Sequence, residues 1–244
     1  MESSDAYVQK NGNCLFVGSR KRWRGVRAGT VAVLLFVVAV ALLTGCQSAY
    51  FGALEKIGIA KRELLLDRVD AARDSQGEAE QAYVDALTAF RAVVSVEAGE
   101  LESVYLKLKA SHDEASARAQ AFGERVAAVE SVADALFKEW EGELAQYSDA
   151  SLRAKSKAQL ERTRSRYRTL DQAMRRAQAS FQPALKVLGD QVLYLKHNLN
   201  AAAIGAIKDE LPRLQADAAN LQRDVQKATA EADRFLKEFR VEGN

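Results

Sequence analysis

The residues of this 244-residue chain that could do chemistry are few. The thiols are Cys14 and Cys46, the histidines are His112 and His197, and a regular cationic row runs Arg162, Arg164, Arg166, Arg168. Neither histidine has a second histidine four residues along, and the acids nearby are generic ones, so no metal site is expected. After Cys46 there is no glycine-rich phosphate loop, no Gly-x-Ser-x-Gly elbow and no Cys-x-x-Cys pair. The reading is of a chain with no catalytic residues and no cofactor. Cys46 is the exception, because it closes the tetrapeptide Leu43-Thr44-Gly45-Cys46, in which a small residue directly precedes a thiol. Such a thiol is suited to take a diacylglyceryl group as a thioether. A signal peptidase that accepts Leu43, Thr44 and Gly45 then cuts before it, and the freed amine takes a further acyl chain such as palmitate.

What precedes Cys46 agrees with that chemistry. Arg20, Lys21, Arg22, Arg24 and Arg27 form a basic stretch directly before the uncharged run 28–43, which is the charge order of a signal peptide. The run has 16 residues, short of the roughly 20 that a helix needs to cross the hydrocarbon core. Residues 1–45 therefore read as a cleaved lipoprotein signal, and the tetrapeptide resembles a bacterial lipobox. The alternative is an uncleaved signal anchor in which Cys46 is incidental. The stretch before Arg20 is long for such a signal, and a later start, for instance at Val17 or Val26, is an expectation that goes with the reading. Removing residues 1–45 leaves 29 basic against 31 acidic residues, so the whole-chain charge of +2 becomes about −2. That balance gives no global attraction for nucleic acid. Cys14 leaves with the signal and Cys46 is occupied, so no disulfide is expected.

Long helices must carry whatever this chain does. Only Pro183 and Pro212 interrupt the residues after Cys46, Ala, Glu, Lys, Leu, Arg and Gln dominate, and hairpin turns and two-residue alternation are missing. Residues 46–52 read as a lipidated tether, with Tyr50 and Phe51 either at the lipid interface or against the end of the helices. Residues 53–240 read as one elongated all-α domain of four helices. The first, about 53–95, has a seam through Leu65, Val69, Ala72, Ala79, Tyr83, Ala86, Phe90 and Val93, with Gly77 off it; Gly99 marks a turn. The second, about 100–147, carries Leu101, Leu108, Ala115, Phe122, Val129 and Leu136, interleaved with Tyr105, His112, Ala119, Val126, Ala133, Trp140 and Tyr147. These two series at spacings of four and three form an a/d stripe, which places His112 in a packed position and Trp140 and Tyr147 in the core or in a binding patch.

Ser148, Asp149 or Ser151 is expected to cap the third helix, about 150–199, whose series is Leu160, Tyr167, Met174, Phe181, Leu188 and Leu195. Its register continues unshifted past Pro183, which predicts a kink near Ala179 rather than a break. Asn198 and Asn200 read as a loop and an N-cap. The last helix, about 201–239, repeats Ile204, Leu211, Ala218, Val225, Ala232 and Phe239 with Ile207, Leu214, Leu221, Ala228 and Phe235. Either Pro212 kinks it, or the helix proper begins at Pro212 and 201–209 is separate. Matched lengths and short turns favour a long antiparallel four-helix bundle or paired coiled-coil hairpins.

Charge is divided along the chain. Residues 97–143 hold eleven acids against five bases, and residues 153–176 hold nine bases against two acids. Folded back on one another, the two segments would select pairing and register. The other use of the basic stretch is an external anion, such as lipid phosphate, lipopolysaccharide or an acidic partner. Arg162, Arg164, Arg166 and Arg168, with Tyr194, Lys196 and His197 in the polar, aromatic stretch 194–200, are the candidate partner surface.

The tetrapeptide at Cys46, Tyr50-Phe51 with Glu55-Lys56, the segment Phe181-Gln182-Pro183-Ala184-Leu185, and the run from Asp190 to Ala201 together carry a resemblance. They look like a family of Gram-negative lipoproteins known only as a domain of unknown function, over essentially the whole chain after Cys46. The resemblance implies a helical, coiled-coil-like periplasmic lipoprotein and brings no catalytic residues. By analogy with lipoprotein sorting, Gln47 rather than an aspartate after Cys46 implies the periplasmic face of the outer membrane. The expected function is a non-enzymatic scaffold tethered through acylated Cys46, with an envelope protein or the cell wall as partner and homo-oligomers open. A periplasmic chaperone or adaptor that binds a client along an apolar groove is the alternative. A cell-wall or lipid-modifying hydrolase ranks third.

Overall fold

The computed structural model describes residues 61–96 and 100–241, all within the second of the chain's two compact units, Glu55–Asn244. Leu43, Thr44, Gly45 and Cys46, the tether with Tyr50 and Phe51, the expected helix start at 53–60, the Gly99 turn and the last three residues lie outside the described residues.

Among the described residues every regular element is helical: α1 (Lys61–Val94), α2 (Leu101–Glu143), a 3-10 turn (Leu144–Gln146), α3 (Ala150–His197), α4 (Ala201–Lys208) and α5 (Leu211–Val241). No described helix is long and apolar enough to cross a membrane. The seam of α1 from Leu65 to Val93 is buried throughout, as are the α3 series from Leu160 to Leu195 and the α2 series from Leu101 to Leu136. The interleaved α2 series is buried from Tyr105 to Ala133 apart from His112, which is half-buried. Gly77 lies on the exposed side, off the seam.

Local chemistry sets the ends. Asp149 is the cap of α3, its carboxylate accepting from the amides of Ser151 and Leu152 at 2.7 and 3.2 Å. Asn200 caps α4 by accepting from the Ala203 amide at 3.0 Å, and the Asn198 side chain donates to the Tyr194 carbonyl at 2.9 Å. These bonds satisfy groups that a helix end leaves orphaned. α3 runs unbroken through Pro183, whose exposed side faces away from buried Phe181, Ala184 and Leu185. At Pro212 the second of the two expected arrangements is found. α4 ends at Lys208, and Pro212 falls in the first turn of α5, where the amide it lacks would have had no helical acceptor. Among the described residues, five helices therefore stand where four were expected.

Lys61 at the start of α1 donates to Glu139 near the end of α2 at 3.1 Å, and Arg118 of α2 donates to Glu78 of α1 at 2.8 Å. Between α2 and α3, Phe122 meets Phe181 edge-on at 6.1 Å and Phe137 meets Tyr167 at 5.5 Å. α5 closes on both outer helices. Arg166 of α3 pairs with Glu238 at 2.9 Å, Ser180 of α3 donates to Asp224, and the buried Gln76 of α1 donates to the Val225 carbonyl and Thr229 hydroxyl at 2.8 and 2.9 Å. Tyr167 also contacts Phe235 at 6.4 Å, Phe235 stacks on Phe239, and the Arg62 guanidinium lies 4.0 Å over the Phe239 ring. One aromatic chain thus ties α1, α2, α3 and α5 together, each ring pair contributing about 0.5–1.5 kcal/mol beyond its burial.

Candidate functional site

The candidate partner surface is split by the fold. All seven residues lie on α3, but Arg168 and Tyr194 are 26 residues apart, about 39 Å along a helix axis at 1.5 Å per residue. The four arginines differ among themselves. Arg164 is half-buried and donates to Glu141 of α2 at 2.9 Å, with its guanidinium 5.5 Å from the Phe137 ring. Arg166 is engaged by Glu238. Arg162 and Arg168 are exposed and take part in no ion pair among the described residues. The basic row is therefore divided: Arg164 and Arg166 pair with acids on neighbouring helices, and Arg162 and Arg168 face outward.

The acids respond to these partners. Arg164 holds the Glu141 carboxyl below the usual carboxylate range by hydrogen bonding and by its charge. Glu130 is pushed up by burial, with Arg175 at 2.5 Å pulling against that shift. At the opposite end of α3, Tyr194, Lys196 and His197 are all exposed, and with them Leu193 at 61% and Leu199 at 39% exposure. Leu106 of α2 is also exposed, at 55%. Leu106 and Leu193 were not singled out by position, yet each falls between seam positions of its series, and an apolar residue off the seam was the available signal; Leu199 lies within the stretch 194–200 that the sequence had marked.

His112 takes the packed role expected of it. Its Nε2 lies 3.3 Å from the Leu185 carbonyl oxygen, and Gly189 makes the room: a Cβ there would stand 3.0 Å from Nε2. The other ring nitrogen, Nδ1, is buried without a hydrogen-bond partner, 3.5 Å from an Asp113 oxygen. About three turns along the same interface the arrangement is mirrored, Gln178 of α3 reaching over Gly123 of α2. Among the described residues no group of three or more His, Cys, Asp or Glu could hold a metal ion.

The two aromatics at the end of α2 part company. Trp140 is half-buried, with its indole N–H donating to the Ser156 hydroxyl at 2.8 Å. Tyr147 is a correction to the seam: α2 ends at Glu143, the 3-10 turn follows, and Tyr147 is left 39% exposed. Beyond it Leu152 is 50% exposed, and no side chain from 150 to 155 is buried.

An all-helical domain is the class that the fold defines among the described residues. The model of the family described as "Protein of unknown function (DUF2959)" matches residues 50–239, and the chain belongs to this family. No curated protein matches the chain.

Proposed function

We propose that this chain is a non-enzymatic envelope lipoprotein, held to the periplasmic face of the outer membrane by lipid on Cys46 and acting as a structural or protein-interaction scaffold. Its helical domain is an antiparallel four-helix bundle in which α4 and α5 together make the fourth member. The reversed pairings of α1 with α2, α2 with α3, α3 with α5 and α5 with α1 support that arrangement. The observation that carries the scaffold reading is the use of the seams. The series from Leu65 to Phe239 are consumed by contacts between helices, while Leu106, Leu193, Tyr194 and Leu199 remain outside for a partner.

The same exposed apolar group favours, as a second reading, an adaptor or chaperone that holds a client at this surface. In-cell photocrosslinking from Leu193, Tyr194 and Leu106 tests the scaffold. Discrete adducts with an envelope protein that vanish when Cys46 is replaced by alanine are expected. A smear of many unrelated adducts would favour the chaperone, and adducts indifferent to Cys46 would contradict a lipid-tethered scaffold. A hydrolase would reappear only if replacing one inward carboxylate abolished an activity without loss of folding.

A further inference from the structure

Basic charge and apolar surface coincide at the turn between α2 and α3. Leu152 continues the buried face of α3 at the spacing Leu152, Ser156, Leu160, Thr163, Tyr167, yet it stands half exposed. Tyr147 is exposed on the other side of the Asp149 cap. At 100° per residue, Arg153 and Lys157 flank that stripe on one side and Lys155 and Arg162 on the other. All four cations are exposed and none is in an ion pair among the described residues. The acids nearby are largely engaged, Glu139 by Lys61, Glu141 by Arg164, Asp149 by the cap and Glu161 by Arg164 at 3.9 Å, while Glu143 and Glu161 stay exposed. The tip therefore carries surplus positive charge although the chain after Cys46 is slightly acidic.

We propose that this tip rests on an anionic bilayer surface, with Tyr147 and Leu152 at headgroup depth and Arg153, Lys155 and Lys157 against lipid phosphates. An apolar stripe with cations on both flanks is the pattern of a surface-lying membrane contact, and tyrosine suits a place where one end is apolar and the other wet. The orientation rests on the lipid-anchor reading. Lys61, bonded to Glu139 at this same end, is only 15 residues from Cys46, a separation that spans at most about 50 Å even fully extended. The bases that pair at home, Arg164, Arg166 and Arg175, are not part of this contact.

The test uses residues 46–244, the chain that remains once the signal is cut, with Cys46→Ser and an environment-sensitive fluorophore on Leu152→Cys, or on Leu193→Cys at the far end of α3 as control. Vesicles of phosphatidylethanolamine and phosphatidylglycerol should shift the emission at 152 to the blue and leave 193 unchanged. Phosphatidylcholine alone should do neither. Arg153→Gln, Lys155→Gln and Lys157→Gln together should raise the lipid concentration for half-maximal shift on the order of a hundredfold, since each cation near an anionic surface contributes about fivefold. Salt of about 1 M, where screening acts within about 3 Å, should have the same sense. No shift at 152, an equal shift at 193, or a shift that survives the triple substitution overturns the proposal. Because Cys46 is absent from the assay, acylation of the wild-type chain is measured separately, so a failed anchor and a failed tip contact give different results.

Discussion

Single side chains in the interior are unevenly satisfied, and that unevenness is testable. The Tyr83 hydroxyl is buried without a hydrogen-bond partner, and burial, with Asp217 adding, pushes its pKa from 10.0 up to about 12. Removing an unsatisfied buried hydroxyl relieves a desolvation cost, so Tyr83→Phe should raise stability by about 1 kcal/mol in urea denaturation. The phenol is held neutral in the folded state. Its contribution is therefore fully present below pH 10 and is lost as pH rises from 10 towards 12, and the variant should lose part of that alkaline decline; Tyr167, also raised by burial, keeps the rest. The glycines make a second contrast. Nothing lies within 4 Å of a Cβ at Gly77, so Gly77→Ala should stabilise by about 1 kcal/mol through helix propensity. Gly189→Ala should not gain, since its methyl group would displace His112 from the Leu185 carbonyl, and melting temperatures of the two variants should move apart. The sequence shows that His112 and Gly189 exist, but not that they face each other, because their pairing depends on the register of two helices 77 residues apart in the chain.

Elements were more legible than their ends. Seven-residue series are repeated long enough to define the buried faces of α1, α2, α3 and α5, and the structure buries nearly all of them. Gln76 sits on the α1 seam between Ala72 and Ala79, a polar residue at a packed position, and its bonds to Val225 and Thr229 could not be foreseen because they depend on where α5 lies. Periodicity also overran the end of α2. Tyr147 keeps the spacing of the series, but a spacing cannot register that Leu144–Gln146 tightens into a 3-10 turn and stops the helix. At Pro212 both arrangements preserve the same apolar stripe, so the stripe leaves the choice open. In a continuous helix the Pro212 ring would crowd the Lys208 carbonyl and interrupt the ladder, whereas in the first turn of α5 the proline costs no helical hydrogen bond. Caps were legible by residue type. Asp149→Ala should cost about 1 kcal/mol, with faster amide hydrogen exchange over the first turn of α3 and unchanged exchange in α5.

Charge acts at the level of the whole molecule, and so would the proposed anchor at Cys46. Arg164→Glu should lower the melting temperature by opposing Glu141, addition of Glu141→Arg should recover part of the loss, and high salt should shrink both effects, as expected for partly exposed pairs. Because Arg164 holds Glu141 below the ordinary carboxylate range, the contribution of this pair is present above that range and disappears as pH falls through the lowered folded value. The candidate partner surface was legible only as residue types. Its division between paired arginines and an exposed end around Tyr194 arises from the lengths of the helices and from which acids α2 and α5 place beside α3. The proposed tether rests on Cys46, and the most direct test is metabolic labelling with palmitate, followed by membrane fractionation of cells expressing the wild-type chain or Cys46→Ala. Label and outer-membrane residence that both depend on Cys46 are the expected result. An unlabelled, uncut chain retained in the inner membrane would contradict the lipoprotein account and leave a signal-anchored helical protein in its place.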